Sequence, residues 1–228
     1  MTGPPSPPGR LIVVTATGTE VGKTWVAARL IADLRRRGAT VVARKPAQSF
    51  DPGEDVATDA ERLAEATGEH PDVVCPPGRR YPRALAPPMA AAALGRTGFT
   101  IADLAGEITS SWPVPPPDVA VVETAGGVAS PQADDGDAVS LAEALAADVV
   151  VVVALAGLGS INLVRLCHRA LGPRPVVVHL NRWDGLDPVG EANRRWLIER
   201  DALVVTTTMS ELADAISIDC LWEASEPW

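Results

Sequence analysis

Six short apolar runs punctuate the chain, at residues 11–15, 40–45, 118–123, 148–154, 175–180 and 202–207. Each is followed by a longer stretch in which apolar and polar positions alternate at helical spacing, so the pattern predicts repeating strand–helix units. The valine-rich runs, "DVVVVVA" above all, are apolar at successive positions. Such strands are covered on both faces and belong to a parallel sheet. Helix starts are marked between the runs. "TIAD" from Thr100 and "SLAE" from Ser140 read as capping boxes, and Asp187-Pro188 as a cap followed by proline in the first turn. Gly38, after three arginines, closes the first helix. Residues 68–98, rich in proline and alanine, read as an irregular excursion. The predicted fold is α/β: a doubly wound, mostly parallel sheet with helices on both faces and its ligand beyond the C-terminal strand edges.

Length and composition narrow this picture. With 228 residues the chain suits one domain, expected over residues 11–228 behind a disordered leader at residues 1–10. A net charge of −9 argues against a nucleic-acid surface, and no apolar run is long enough to span a bilayer. Cys75, Cys167 and Cys220 are odd in number and widely spaced, as expected of reduced, buried thiols in a cytoplasmic protein. His70, His168 and His179 share no ligand spacing and read as structural. "PQADDGDA", at 131–138, lacks the distal glutamate of a calcium loop and reads as an acidic loop near the substrate end of the site. The arginines at 35–37 read as a solvated helix end.

The candidate chemistry gathers where strands end. "TATGTEVGKT", at 15–24, joins the first run to a helix, and a small-residue loop at a helix N-terminus binds anions through unpaired amides. Lys23 would reach the outer phosphates of a nucleotide and the Thr24 hydroxyl would ligate Mg²⁺. The strict P-loop spacing fails, however, because Gly18 stands one place late. "ARKPAQS" ends the second run with Lys45, "VVETAGG" ends the third with Glu123, and "VVHLNRW" ends the fifth with Asn181. A strand-end acid such as Glu123 is where a Mg²⁺-organising carboxylate belongs. Lys45, taken alone, reads equally well as a surface lysine.

Together, "TGTEVGKT", "RKPAQS", "ATDAERL", "VVETAGG", "LGSINLVRL" and "VVHLNRW" occur in the order seen in ATP-dependent dethiobiotin synthetases, and the chain resembles that family from about Leu11 to Trp183. The family's loop has five residues between its glycines, which places its first glycine at Ala16. The resemblance implies a P-loop NTPase-like fold, ATP as co-substrate and Mg²⁺ as cofactor. It implies that Glu20, Val21, Gly22, Lys23, Thr24 and Trp25 wrap the phosphates, and that Thr24, Asp59 and Glu123 hold the metal. Thr124, Ala125 and Gly126 would complete the ATP site. Asn181 and Arg182 would meet the adenine, with help from residues 209–211. Lys45 and Lys23 would be catalytic, and Thr19 and Ser49 would contact a diamine. The implied reaction is carboxylation of 7,8-diaminononanoate by CO₂, phosphorylation of the carbamate and closure to a cyclic urea. A homodimer is implied too, with the "LGSINLVRL" helix a candidate interface.

Several positions depart from the family pattern: Ala16 and Gly18 in the loop, Phe50, Pro88, Thr124 and Leu163. Alanine or threonine at a position needing positive φ would be strained, so Ala16 and Thr124 are expected to have negative φ. The departures leave open a related ligase acting on another carboxylate or amine. A partition-type ATPase switch is a third reading, but such switches carry an additional lysine early in the loop and residues 15–22 have none.

Overall fold

The computed structural model describes residues 6–53 and 57–217. Strand β1 (Arg10–Ala16) leads into helix α1 (Lys23–Arg36) and strand β2 (Val41–Arg44). A short strand β3 (Gln48–Ser49) precedes helices α2 (Asp59–Thr67) and α3 (Pro71–Val74), strand β4 (Arg80–Tyr81), and helices α4 (Pro87–Ala93) and α5 (Ile101–Ser110). Strand β5 (Val119–Glu123) is followed by a hairpin, β6 (Pro131–Ala133) and β7 (Gly136–Asp137), and then helix α6 (Ala138–Ala144). The remaining units are β8 (Val149–Leu155), α7 (Ser160–Leu171), β9 (Val176–Asn181), α8 (Pro188–Glu199), β10 (Val204–Thr206) and α9 (Met209–Ser217).

The six expected runs all form strands of one parallel sheet, in the order β10-β9-β8-β1-β5-β2. Alternation along each strand feeds two separate cores. Leu11 and Val13 of β1, with Val150 and Val152 of β8, pack against α5, α6 and α7. Ile12, Val14 and Ala16, with Val149, Val151 and Val153, pack against α1, α2 and α9. Both faces are therefore covered, as the unbroken valine runs require. Every one of these strands runs the same way, so β1, β2, β5 and β9 deliver their last residues to one edge.

Local punctuation matches the sequence in most places. Thr100 and Asp103 form a capping box on α5, Asp187 caps α8, and Gly38 (φ 96°) closes α1. Helix α6 is a correction: its cap is Asp137, whose carboxylate accepts from the N–H groups of Val139 and Ser140, so Ser140 lies inside the helix. Residues 68–98 are also more ordered than expected, because they hold α3, a 3₁₀ turn (Pro77–Arg79), β4 and α4. The sheet likewise begins earlier: Gly9 donates to the carbonyl of Pro117 and Arg10 opens β1, inside the stretch read as leader. Residues 1–5 and Cys220 lie outside the described residues.

Candidate active site at the strand edge

The loop between β1 and α1 is fixed from both sides. Thr17 donates to the carbonyl of Val153, and Val128, from the loop after β5, donates to that of Ala16. Gly127 eases this approach, since a Cβ there would stand 3.1 Å from the Ala16 carbonyl oxygen. Ala16 and Thr124 are not among the positive-φ residues; near the loop Glu20 (φ 58°) and Arg182 (φ 54°) take this strained conformation, and Gly22 (φ 92°) and Gly126 (φ 64°) take it without strain. On the other flank the Asn181 amide donates to the Val21 carbonyl at 2.8 Å, and a Cβ on Gly22 would fall 2.2 Å from that amide nitrogen. Glycine is thus required at 22 for its φ and for the space. No side chain caps α1, which leaves its first amides open toward the loop.

Four side chains meet beside this loop. The Thr24 hydroxyl lies 2.7 Å from Asp59 Oδ1 and 2.9 Å from Glu123 Oε1. The Lys45 ammonium donates to Glu123 Oε1 at 2.7 Å, contacts Asp59 Oδ2 at 2.8 Å and reaches the Thr124 carbonyl at 3.2 Å. Glu123 is fully buried and Lys45 nearly so. Lys23 folds back to donate to the Gly18 carbonyl at 3.2 Å. Burial opposes ionisation of Asp59 most strongly, but the Lys45 charge and hydrogen bond, the Thr24 hydroxyl and the Lys23 charge together outweigh it and hold that carboxyl down to about 2. For Glu123 burial prevails and pushes the carboxyl up, against the pull of Lys45. Burial, then the neighbouring Lys45 charge, lower Lys23.

These oxygens fit a hard divalent cation. Thr24 has one hydroxyl proton for two carboxylate oxygens, and Glu123 Oε2 is buried without a partner. Two carboxylates and a hydroxyl, with phosphates completing the shell, are what Mg²⁺ accepts. Among the described residues no group of three or more His, Cys, Asp or Glu side chains could hold a metal ion, so the two carboxylates here need other oxygens to complete a shell.

The surrounding wall is set by residues that local pattern did not mark. Gln132, 1% exposed, accepts from the Ala125 N–H and donates to the Ala125 and Ser130 carbonyls, so it clamps the loop after Glu123. Gln48 accepts from the Ala60 N–H and so fixes the start of α2 beside Asp59. In the acidic stretch at 131–138, Asp134 and Asp135 accept from the Phe99 and Ile101 N–H groups, and Asp137 caps α6. One oxygen of each is thus engaged by backbone. One compositional signal was available: among twenty cationic Lys and Arg residues, only Lys23 and Lys45 are lysines, and both lie here.

A cavity of about 580 Å³ opens on the β9–β10 side, lined by Gly22, Trp25, Asn181, Arg182, Trp183 and Met209 among others. Trp25 is half-exposed with Arg29 over its ring. His179, at the cavity floor, faces the Thr206 hydroxyl at 3.0 Å, and burial lowers it to about 4, so it is a neutral structural ring at ordinary pH. The structure does not bring Thr19 or Ser49 into hydrogen-bonding contact with the four-residue cluster. Thr19 is exposed on the loop, and Ser49 lies on β3 with its hydroxyl buried and unpartnered.

A family model described as an AAA domain matches residues 10–185. An ATP-dependent dethiobiotin synthetase of Haloferax mediterranei is 35% identical over 218 residues, covering 91% of this chain and 88% of that protein. One from Corynebacterium efficiens is 36% identical over 162 residues, covering 70% and 69%. Among solved structures, a plasmid partition protein from Borrelia burgdorferi aligns at a TM-score of 0.54 and 14% identity, covering 96% of this chain and 95% of that one. A signal recognition particle receptor from Elizabethkingia anophelis, in complex with GDP, gives 0.55 and 14%, covering 95% and 66%. At such identity these two likenesses concern the fold alone. Among the described residues no helix is long and apolar enough to cross a membrane.

Proposed function

This chain belongs to the ATP-dependent dethiobiotin synthetase family, and from that premise we propose that it is a Mg²⁺- and ATP-dependent cyclo-ligase converting 7,8-diaminononanoate and CO₂ to dethiobiotin, ADP and phosphate. The observation that carries the reading is the meeting of Thr24, Asp59, Glu123 and Lys45 beside an uncapped helix start. Thr24, Asp59 and Glu123 would hold Mg²⁺, which would supply positive charge against the phosphates. The amides of residues 20–25 cradle those phosphates, and Lys23 leaves the Gly18 carbonyl to pair with them. Lys45 stabilises negative charge as the γ-phosphoryl moves from ATP to the carbamate oxygen and ADP leaves. The second amine then attacks the carbamate carbon and phosphate departs. Such chemistry requires positioning and fixed positive charge more than covalent help from the protein. Thr124, Ala125 and Gly126 wall the ATP site, Asn181 and Arg182 border the base, and Thr19 and Ser49 contact the diamine.

The partition-protein likeness supports the scaffold but not a switch function, since the loop lacks the extra lysine. The protein is proposed to act in the cytoplasm as a homodimer. Leu158, Leu163 and Leu166 on and beside α7 are exposed, while Val164, Cys167 and Leu171 of the same helix face the core. An exposed apolar stripe of this kind is typical of an association surface. The test is single-turnover ADP formation with the diamine and bicarbonate each added or omitted. Turnover requiring both supports the ligase; turnover indifferent to both would overturn it.

A further inference from the structure

The Lys45 ammonium donates to Glu123 Oε1 and the Thr124 carbonyl, and it is ion-paired with Asp59 Oδ2 at 2.8 Å. Oxygens of the protein thus surround its charge. A lysine that is to meet a phosphate must therefore give up at least one of these partners. Two of the three are the carboxylates read above as metal ligands. Glu123 has no access to water, and a buried carboxylate needs a counter-charge to stay ionised. Lys45 supplies it in the arrangement seen. A divalent cation on the same oxygens would supply it instead, and would then repel a neighbouring ammonium a few ångströms away.

We propose that Lys45 is the resident counter-cation of Asp59 and Glu123, that it competes with the divalent metal for their oxygens, and that it becomes available to the transferring phosphoryl group only once the metal has taken them. The inference rests on the metal-site reading of Thr24, Asp59 and Glu123. It makes the order of events part of the fold: metal loading arms the lysine, and a site without metal keeps it locked. Lys23 is not part of this exchange, because its partner is the Gly18 carbonyl rather than a metal-binding carboxylate.

The chain itself supplies the probe, since it contains only two lysines. The full-length protein, labelled with ¹³C and ¹⁵N in lysine, gives two ammonium-end signals, assigned with Lys45→Arg. Adding Mg²⁺ without nucleotide should move the Lys45 signal saturably and move the Lys23 signal far less. In parallel, Mn²⁺ binding is measured by electron paramagnetic resonance in wild type, Lys45→Gln and Asp59→Asn. Lys45→Gln should bind Mn²⁺ at least about tenfold more tightly than wild type, the scale of one nearby like charge removed. Asp59→Asn should weaken Mn²⁺ binding. A stationary Lys45 signal, or unchanged Mn²⁺ affinity in a folded Lys45→Gln, together with weakened binding in Asp59→Asn, would overturn the exchange and leave the metal site standing. Mn²⁺ binding indifferent to Asp59→Asn would sink both.

Discussion

Arg44 and Lys45 are adjacent, buried and cationic, yet they are held in different ways. Arg44 donates to the Ser111 hydroxyl at 2.6 Å, the Ser111 carbonyl at 2.7 Å and Glu69 at 2.7 Å, and its guanidinium lies over Trp112. Glu69 also accepts from the Ala43 N–H, so this cluster welds β2 to the chain after α2 and α5. A planar fork matched to fixed oxygens, and stacked on an indole, has one good geometry. Lys45 is a compact point charge on a flexible stem, and its partners are oxygens that suit a metal equally well. One cation is a structural bolt and the other a replaceable counter-charge. The difference shows that burial and pairing alone do not mark a functional cation; what counts is whether its partners have another use.

The comparison can be broken in four ways, in order of expected effect. Arg44→Met leaves Glu69 and the Ser111 carbonyl without their donor, and should lower unfolding free energy by about 3 kcal/mol in urea titrations. ATP affinity of the variant that remains folded should be unchanged, and a loss of affinity would make Arg44 functional. Lys45→Gln should slow ADP formation by roughly 10²-fold, about 2.7 kcal/mol, while ATP binding changes far less. A full rate in that variant would remove Lys45 from the chemistry. Glu69→Gln keeps a hydrogen-bond acceptor but loses the charge, so a stability loss of about 1 kcal/mol is expected, again without kinetic effect. The smallest effect concerns pH. Asp59 is held down to about 2, below the roughly 3.9 expected when unfolded, so its ion pair stabilises fully above about pH 4 and is lost as pH falls toward 2. With 39% of the Asp59 side chain exposed, screening keeps that contribution modest. Wild type and Asp59→Asn compared by urea unfolding at pH 7 and pH 3 should differ less at the lower pH.

The strands and the phosphate loop were legible because their signals are local: unbroken valines, a glycine-rich turn and helix caps within a few residues. One local signal misleads: "SLAE" points to Ser140, whereas the β6–β7 hairpin brings Asp137 to the start of α6. Asp59 lies at a helix start rather than a strand end, and only the family resemblance singled it out. Gln48 and Gln132 were invisible because their work is done across the fold, on backbone groups 12 and 7 residues away. The triple engagement of Lys45 could not be read either, since it joins three segments far apart in the chain. The scarcity of lysine was readable throughout, and it points to the same place.

That scarcity has a practical consequence in proteolysis. A lysine-specific protease would find just two targets in this chain, the bonds after Lys23 and Lys45. The second is followed by Pro46, whose fixed ring makes it a poor substrate. The first, Lys23–Thr24, lies in the opening turn of α1 with its lysine buried. Cleavage there needs the turn to unwind, so digestion would report openings that expose the phosphate loop, with little background of cuts elsewhere.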